Sequence, residues 1–228
     1  MYRLNSNLIK CHFLRLGLIK LYSNLFGQNY SSLPPDWIVE NTEYDTTISP
    51  QSSDHQYFLL DFQDNIETEE LYRHYVLRML NSEGVQSYSS ISVSYDPHYE
   101  SVSFHQLRII RNGEVIDKLQ NADWREIQRE SSMEYSLYDG SITLITDLKD
   151  TRPGDILEYS YTRKGFNPIN NGHFASTTYE EYQQPINRLY SRVINESSKK
   201  LKLKYSSGAS RPKALIIKDK EEYIWDLQ

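Results

Sequence analysis

The chain has 228 residues, a net charge of −6, 38% hydrophobic side chains and 25% charged ones. That is enough for one sizeable domain with its own core and too apolar for a disordered tail. It also argues against non-specific nucleic-acid binding, which needs Lys and Arg to displace phosphate counterions.

Tyr is the compositional outlier, with 19 copies against 7 Phe and 3 Trp. Tyrosine suits pleated, half-buried surfaces, so the composition leans towards β structure. The single cysteine, Cys11, excludes an intramolecular disulfide and a Cys metal cluster. Charge is unevenly spread. Residues 40–70 are acidic (Glu40, Glu43, Asp45, Asp54, Asp61, Asp64, Glu67, Glu69, Glu70), and residues 199–220 are basic (Lys199, Lys200, Lys202, Lys204, Arg211, Lys213, Lys218, Lys220). The two stretches read as solvated faces.

Residues 1–28 start basic and carry no acid, but Lys10, Arg15 and Lys20 interrupt the apolar run that an export signal needs. Leu14, Leu18, Leu21, Tyr22 and Leu25 fall at helical spacing. The segment reads either as a degraded signal peptide or as an amphipathic helix, and it is too short and charged to span a membrane. Residues 29–36 form a linker around Pro34-Pro35, which favours extended chain. Trp37-Ile38-Val39 resembles a first strand. Residues 46–55 are a polar loop, and Gln56 to Phe62 is an apolar run of strand length.

The spacing of Leu71, Tyr72, Tyr75, Val76 and Met79 predicts a helix from Thr68, with acids at its N-terminal end and Gly84 as terminator. The period then changes to two. Ile91, Val93 and Tyr95 alternate with Ser up to the Asp96-Pro97 turn. Val102, Phe104, Leu107 and Ile109 make the next strand. Asn112-Gly113 predicts a hairpin over 102–119, because both residues tolerate positive φ. Residues 124–138 read as strand-like or mixed, and Tyr138-Asp139-Gly140 as a turn. Ile142, Leu144 and Thr146 form a strand, residues 150–155 a turn, and residues 156–162 an alternating strand. A loop spans Gly165 to Gly172. Further strands are expected at 186–194, 200–205, 214–217 and 223–226. Strands this frequent, with turns between them, predict a sandwich or barrel.

Few residues suggest chemistry. The body has no cysteine and no Gly-x-Ser-x-Gly elbow. The six histidines (12, 55, 74, 98, 105 and 173) show no metalloprotease spacing. Asp96, His98 and His105 could converge across a turn, and Asp147, Asp150 and Asp155 crowd another that could attract a cation. A solvated hairpin turn is the plainer reading of both. Asn29-Tyr30-Ser31 and Asn195-Glu196-Ser197 match the glycosylation sequon, as chance also provides.

Three stretches carry a resemblance: YFLLDFQ at 57–63, residues 67–116 and residues 136–168. Within them stand Gly84-Val85-Gln86, the Asp96-Pro97 turn, the strand from Phe104-His105 to Arg111, Pro153-Gly154-Asp155, and Gly165-x-Asn167-Pro168. The chain resembles the domain of unknown function found N-terminal to transglutaminase-like, papain-like cysteine domains in bacterial envelope proteins. The likeness covers about residues 36–205.

The resemblance implies a mainly β, antiparallel sandwich-like module over 37–205 with one short helix. It also implies a segment 206–228 resembling the join to a transglutaminase-like domain. No catalytic, cofactor-binding or metal-binding residues are carried over. The expected role is non-catalytic packing and protein binding beside that domain, with no nucleic acid and no transmembrane span. The rival readings are an envelope adhesin or carbohydrate binder using Tyr159, Tyr161, Tyr179 and Tyr182, and a hydrolase built on the acidic turn. The expected location is the periplasm or envelope if residues 1–28 act as a signal, and otherwise the cytoplasm.

Overall fold

Alternating side chains bury one face of a strand and solvate the other, and this chain uses the pattern repeatedly. The computed structural model describes residues 30–128, 140–196 and 200–228. The expected N-terminal helix and most of the Tyr138-Asp139-Gly140 turn lie outside them. The compact unit runs from Ser31 to Gln228.

Its described residues form eleven strands: β1 His55–Asn65, β2 Glu70–Met79, β3 Ser90–Tyr95, β4 Ser101–Arg111, β5 Glu114–Asp117, β6 Arg125–Ile127, β7 Ile142–Asp147, β8 Ile156–Lys164, β9 Leu189–Glu196, β10 Lys213–Ile217 and β11 Lys220–Leu227. Among the described residues there is one short α-helix, α1, Ser82–Tyr88. The large sheet has the order β10-β11-β9-β1-β2-β8-β4-β5 and the small sheet β3-β7-β6. The mainly β expectation with one short helix holds. The large sheet is mixed, however, because β1 and β9 pair parallel.

The helix lies elsewhere than the spacing suggested. Residues 70–79 are strand β2, not helix, and pair with β1 and β8 along their whole length. β2 carries apolar or aromatic residues on both faces, Leu71, Tyr75 and Leu77 on one and Tyr72 and Val76 on the other, and that distribution also fits a helical stripe. The true helix starts after Asn81, whose Oδ1 accepts from the N–H groups of Glu83 and Gly84 at 3.0 Å. Gly84 sits inside α1 rather than ending it. A Cβ there would lie 2.1 Å from the Asp54 carbonyl oxygen, so only glycine allows this approach.

Two other expected strands are absent. Residues 37–39 join no ladder. Instead the Val39 N–H donates to Gln63 Oε1 (3.0 Å), and Gln63 Nε2 donates to the Val39 carbonyl (2.7 Å). One side-chain amide thus stands in for a neighbouring strand. Residues 200–205 are irregular. The 102–119 hairpin forms as expected, with Asn112 and Gly113 at φ 53° and 84°.

Residues opposite one another in neighbouring strands share a face. One face of the large sheet is apolar: Leu77, Leu157 and Ile109 lie in register across β2, β8 and β4 and are fully buried. Phe104, also fully buried on this face, packs against Trp124 with ring centroids 4.3 Å apart. The opposite face mixes a small core of Phe58, Leu59 and Val76, packed by Tyr44 and Ile48, with a row of polar groups.

Candidate functional site

The polar row follows from register. Arg108 and Glu158 stand opposite one another, and so do His74 and Ser160. A bulge between Phe104 and Gln106 adds one residue to β4, and the successive residues His105 and Gln106 both face the same groove. Residues 34–42 lie over this face as a strap with a turn at Asp36-Trp37. A groove of about 560 Å3 remains between strap and sheet, with Tyr72, His74, Arg108 and Glu158 on the sheet side and Pro34, Pro35, Asp36, Ile38 and Glu40 on the strap.

The floor is a buried polar chain. His74 Nε2 donates to Glu158 Oε1 (3.1 Å), and Arg108 Nε donates to Glu158 Oε2 (2.9 Å). Burial opposes ionisation of Glu158, but the bonds and charges of His74 and Arg108 outweigh it and hold the carboxyl below its usual range. Asp61 is the reverse case. Burial raises it, although Asn41 Nδ2 and Gln63 Nε2 both donate to it. His105 Nδ1 donates to the Ser32 carbonyl (3.0 Å), and the Thr162 hydroxyl donates to His105 Nε2 (2.8 Å). Burial pushes its pKa down, against the Ser32 bond and the Glu70 charge. Gln106 Nε2 is buried without a hydrogen-bond partner.

These shifts set a pH dependence. His105 is depressed in the fold, so its contribution is complete above the unfolded value of about 6.5 and falls as pH drops through it. Glu158 and Asp155 are also depressed. Their stabilisation is present above about pH 4 and is lost as pH falls through their folded values. Asp61, being raised, works the other way and offsets part of that loss. Urea midpoints measured from pH 8 to 3 should therefore decline in two stages. A His105→Gln variant should lose the first stage and keep the second.

The residues singled out in the sequence are dispersed. Asp147 pairs with Arg125. Asp155 takes a bidentate bond from Arg111 (2.7 Å to each oxygen), and Asp150 accepts from Arg111 and Arg152 (3.1 and 2.8 Å). Guanidinium groups thus fill the acidic turn. Asp96 accepts from exposed His98 (2.8 Å), while His105 bonds to Ser32 and Thr162 instead. Among the described residues no group of three or more His, Cys, Asp or Glu is placed to hold a metal ion, and no helix is long and apolar enough to cross a membrane. The four tyrosines do not form one exposed platform. Tyr159 stacks on Tyr75 at 4.8 Å, while Tyr179 and Tyr182 are 66% and 40% exposed.

The groove was missed because His74 and Tyr72 lie on the strand misread as helix. Its trace in the sequence is the period-two row Glu158, Ser160, Thr162, whose counterparts on β2 are Val76, His74 and Tyr72.

The fold defines a mixed-sheet β module with a polar groove under an N-terminal strap. The model of a domain of unknown function with a solved structure, DUF3857, matches residues 67–228. The chain belongs to that family. Its fold is similar to part of the crystal structure of "a putative protease" from Parabacteroides distasonis. The TM-score is 0.64 and the identity 13%, over 78% of this chain and 36% of that one. A two-domain M1 zinc metallopeptidase bound to L-arginine also aligns, with a TM-score of 0.35 and 11% identity, over 77% of this chain and 39% of that one. That score is too low to carry weight. The chain thus spans under two-fifths of either structure's length. No curated protein matches it.

Proposed function

We propose that this module is a non-catalytic packing and protein-binding domain, working beside a transglutaminase-like domain in the same or a partner chain. The observation that supports this most is where its carboxylates go. Asp147, Asp150, Asp155 and Glu158 each end on an arginine of the same fold. A carboxylate held in such a pair is a poor general acid or base at neutral pH. The hydroxyl bonded to Nε2 of the groove's His105 is that of Thr162, which is buried and does not line the groove.

A surface for a neighbour is available at the sheet edge. β10 ends the large sheet on one side, and Ile216 and Ile217 on it are 76% and 48% exposed. An apolar edge strand invites pairing or packing with another domain. The test is calorimetric titration of the chain with a separately produced transglutaminase-like domain. One-to-one binding is expected, weakened about tenfold or more by Ile216→Lys. Purified chain that hydrolyses or cross-links protein substrates, and loses this on Asp150→Asn, would overturn the reading.

Without its neighbour the same edge should self-associate. Sedimentation should show a concentration-dependent dimer that Ile216→Lys disperses. We further propose an envelope location. In that case the mature protein in its own cells is lighter than the full chain by about 27 N-terminal residues, and an intact-mass measurement decides it.

A further inference from the structure

We infer that the groove beneath the strap recognises a basic side chain, the ammonium or guanidinium of a peptide Lys or Arg. This deepens the proposed protein-binding role and rests on it. The charges lining the groove are unequal: Asp36, Glu40 and Glu158 are carboxylates, and Arg108 is the one guanidinium. Arg108 already donates to Glu158. Asp36 and Glu40 are exposed at the rim and make no ion pair with any described residue. A cation entering here meets two free carboxylates, whereas an anion meets those same two groups and one engaged arginine.

Burial raises the Tyr72 phenol, the Ser160 bond lowers it, and the charges of Asp61, Glu40 and Glu158 raise it further. Three carboxylates from the strap, β1 and β8 therefore bear on one ring in the groove. That ring can lie against an ammonium or guanidinium. Pro34, Pro35 and Ile38 give an apolar wall for the methylene stem that Lys and Arg carry behind their charge. The volume of about 560 Å3 accommodates a side chain with its flanking backbone.

The test uses the full chain and end-capped pentapeptides of glycine with one central Lys, Arg or norleucine, followed by amide NMR. Spermidine serves as a free polyamine. Lys and Arg peptides should bind and shift the amides of Glu40, Gln106 and Arg108, with the norleucine peptide about tenfold weaker or worse. Asp36→Asn and Glu40→Gln, both at exposed positions, should each weaken binding about two- to fivefold, and added salt should weaken it further. Equal binding of Lys and norleucine peptides, or shifts confined to other surfaces, overturns the inference. Spermidine binding with no peptide binding overturns the peptide source and leaves a small-molecule amine as the ligand. If the transglutaminase-like domain binds while basic peptides do not, this inference alone fails. If peptides bind and the domain does not, the failure belongs to the proposed partner.

Discussion

Replacing Glu222 with Leu should destabilise the module by about 3–5 kcal/mol, because the change leaves a buried arginine without its counter-ion. Arg192 and Glu222 are 7% and 8% exposed on neighbouring strands of the large sheet. Nε and Nη2 of Arg192 donate to the two carboxylate oxygens at 2.9 and 2.7 Å, and Nη1 donates to the Trp37 carbonyl at 2.7 Å. One guanidinium thus fastens the C-terminal hairpin and the start of the strap to β9. Arg192→Met should cost a similar amount by stranding Glu222. The double variant should recover most of the loss, since an apolar pair of like volume removes both desolvation penalties together. Urea unfolding of the four proteins gives the cycle. Additive single losses, with no recovery in the double variant, would mean that the strap contact through Trp37 matters more than the ion pair.

This pair also shows what the sequence hides. The acidic stretch 40–70 and the basic stretch 199–220 suggest two solvated faces; Lys202, Lys204 and Lys213 are exposed, but Asp61, Asp64 and Glu70 are buried. Arg192 and Glu222 carry no such mark, because burial of a charge depends on strands far apart in the chain meeting in register. Features that are local in origin were legible. Asn112-Gly113 dictates a hairpin by its backbone freedom, and the alternation across β8 separates its tyrosine face from its polar face. Features that depend on neighbours were not. Tyr72 and Tyr75 fit a helix or a strand equally well until β1 and β8 close on either side. Leu201, Leu203 and Tyr205 alternate with lysine and do line a cavity with Val193 and Trp225. Their backbone joins no ladder, so the alternation reported a half-exposed face lining that cavity rather than a strand. The groove needs all of these at once: a central β2, a bulge in β4 and a strap held by Gln63. Its residues are therefore spread from 34 to 160 without a motif.

Gly165→Ala should be the most damaging of the glycine substitutions, at about 3–5 kcal/mol, a range reached only by severe defects. Gly165 follows β8 at φ 107°, a region costly to any residue with a side chain. A Cβ there would stand 1.9 Å from the Tyr99 carbonyl oxygen, which is backbone and cannot swing aside. The Gly165 N–H also donates to the Glu69 carbonyl at 2.8 Å, so relieving the clash pulls on the β1–β2 turn. Gly113→Ala is the control. Its φ of 84° is also positive, but nothing lies within 4 Å of the added Cβ, so the cost should be about 1–2 kcal/mol from backbone strain alone. The gap between the two variants isolates the close approach of Tyr99. Equal losses would mean that the backbone after β8 yields freely, and the grip of β8 on the turn between β3 and β4 would then be weaker than the geometry implies. A large gap with an unchanged denaturant slope would place that turn within the same cooperative unit as the sheet.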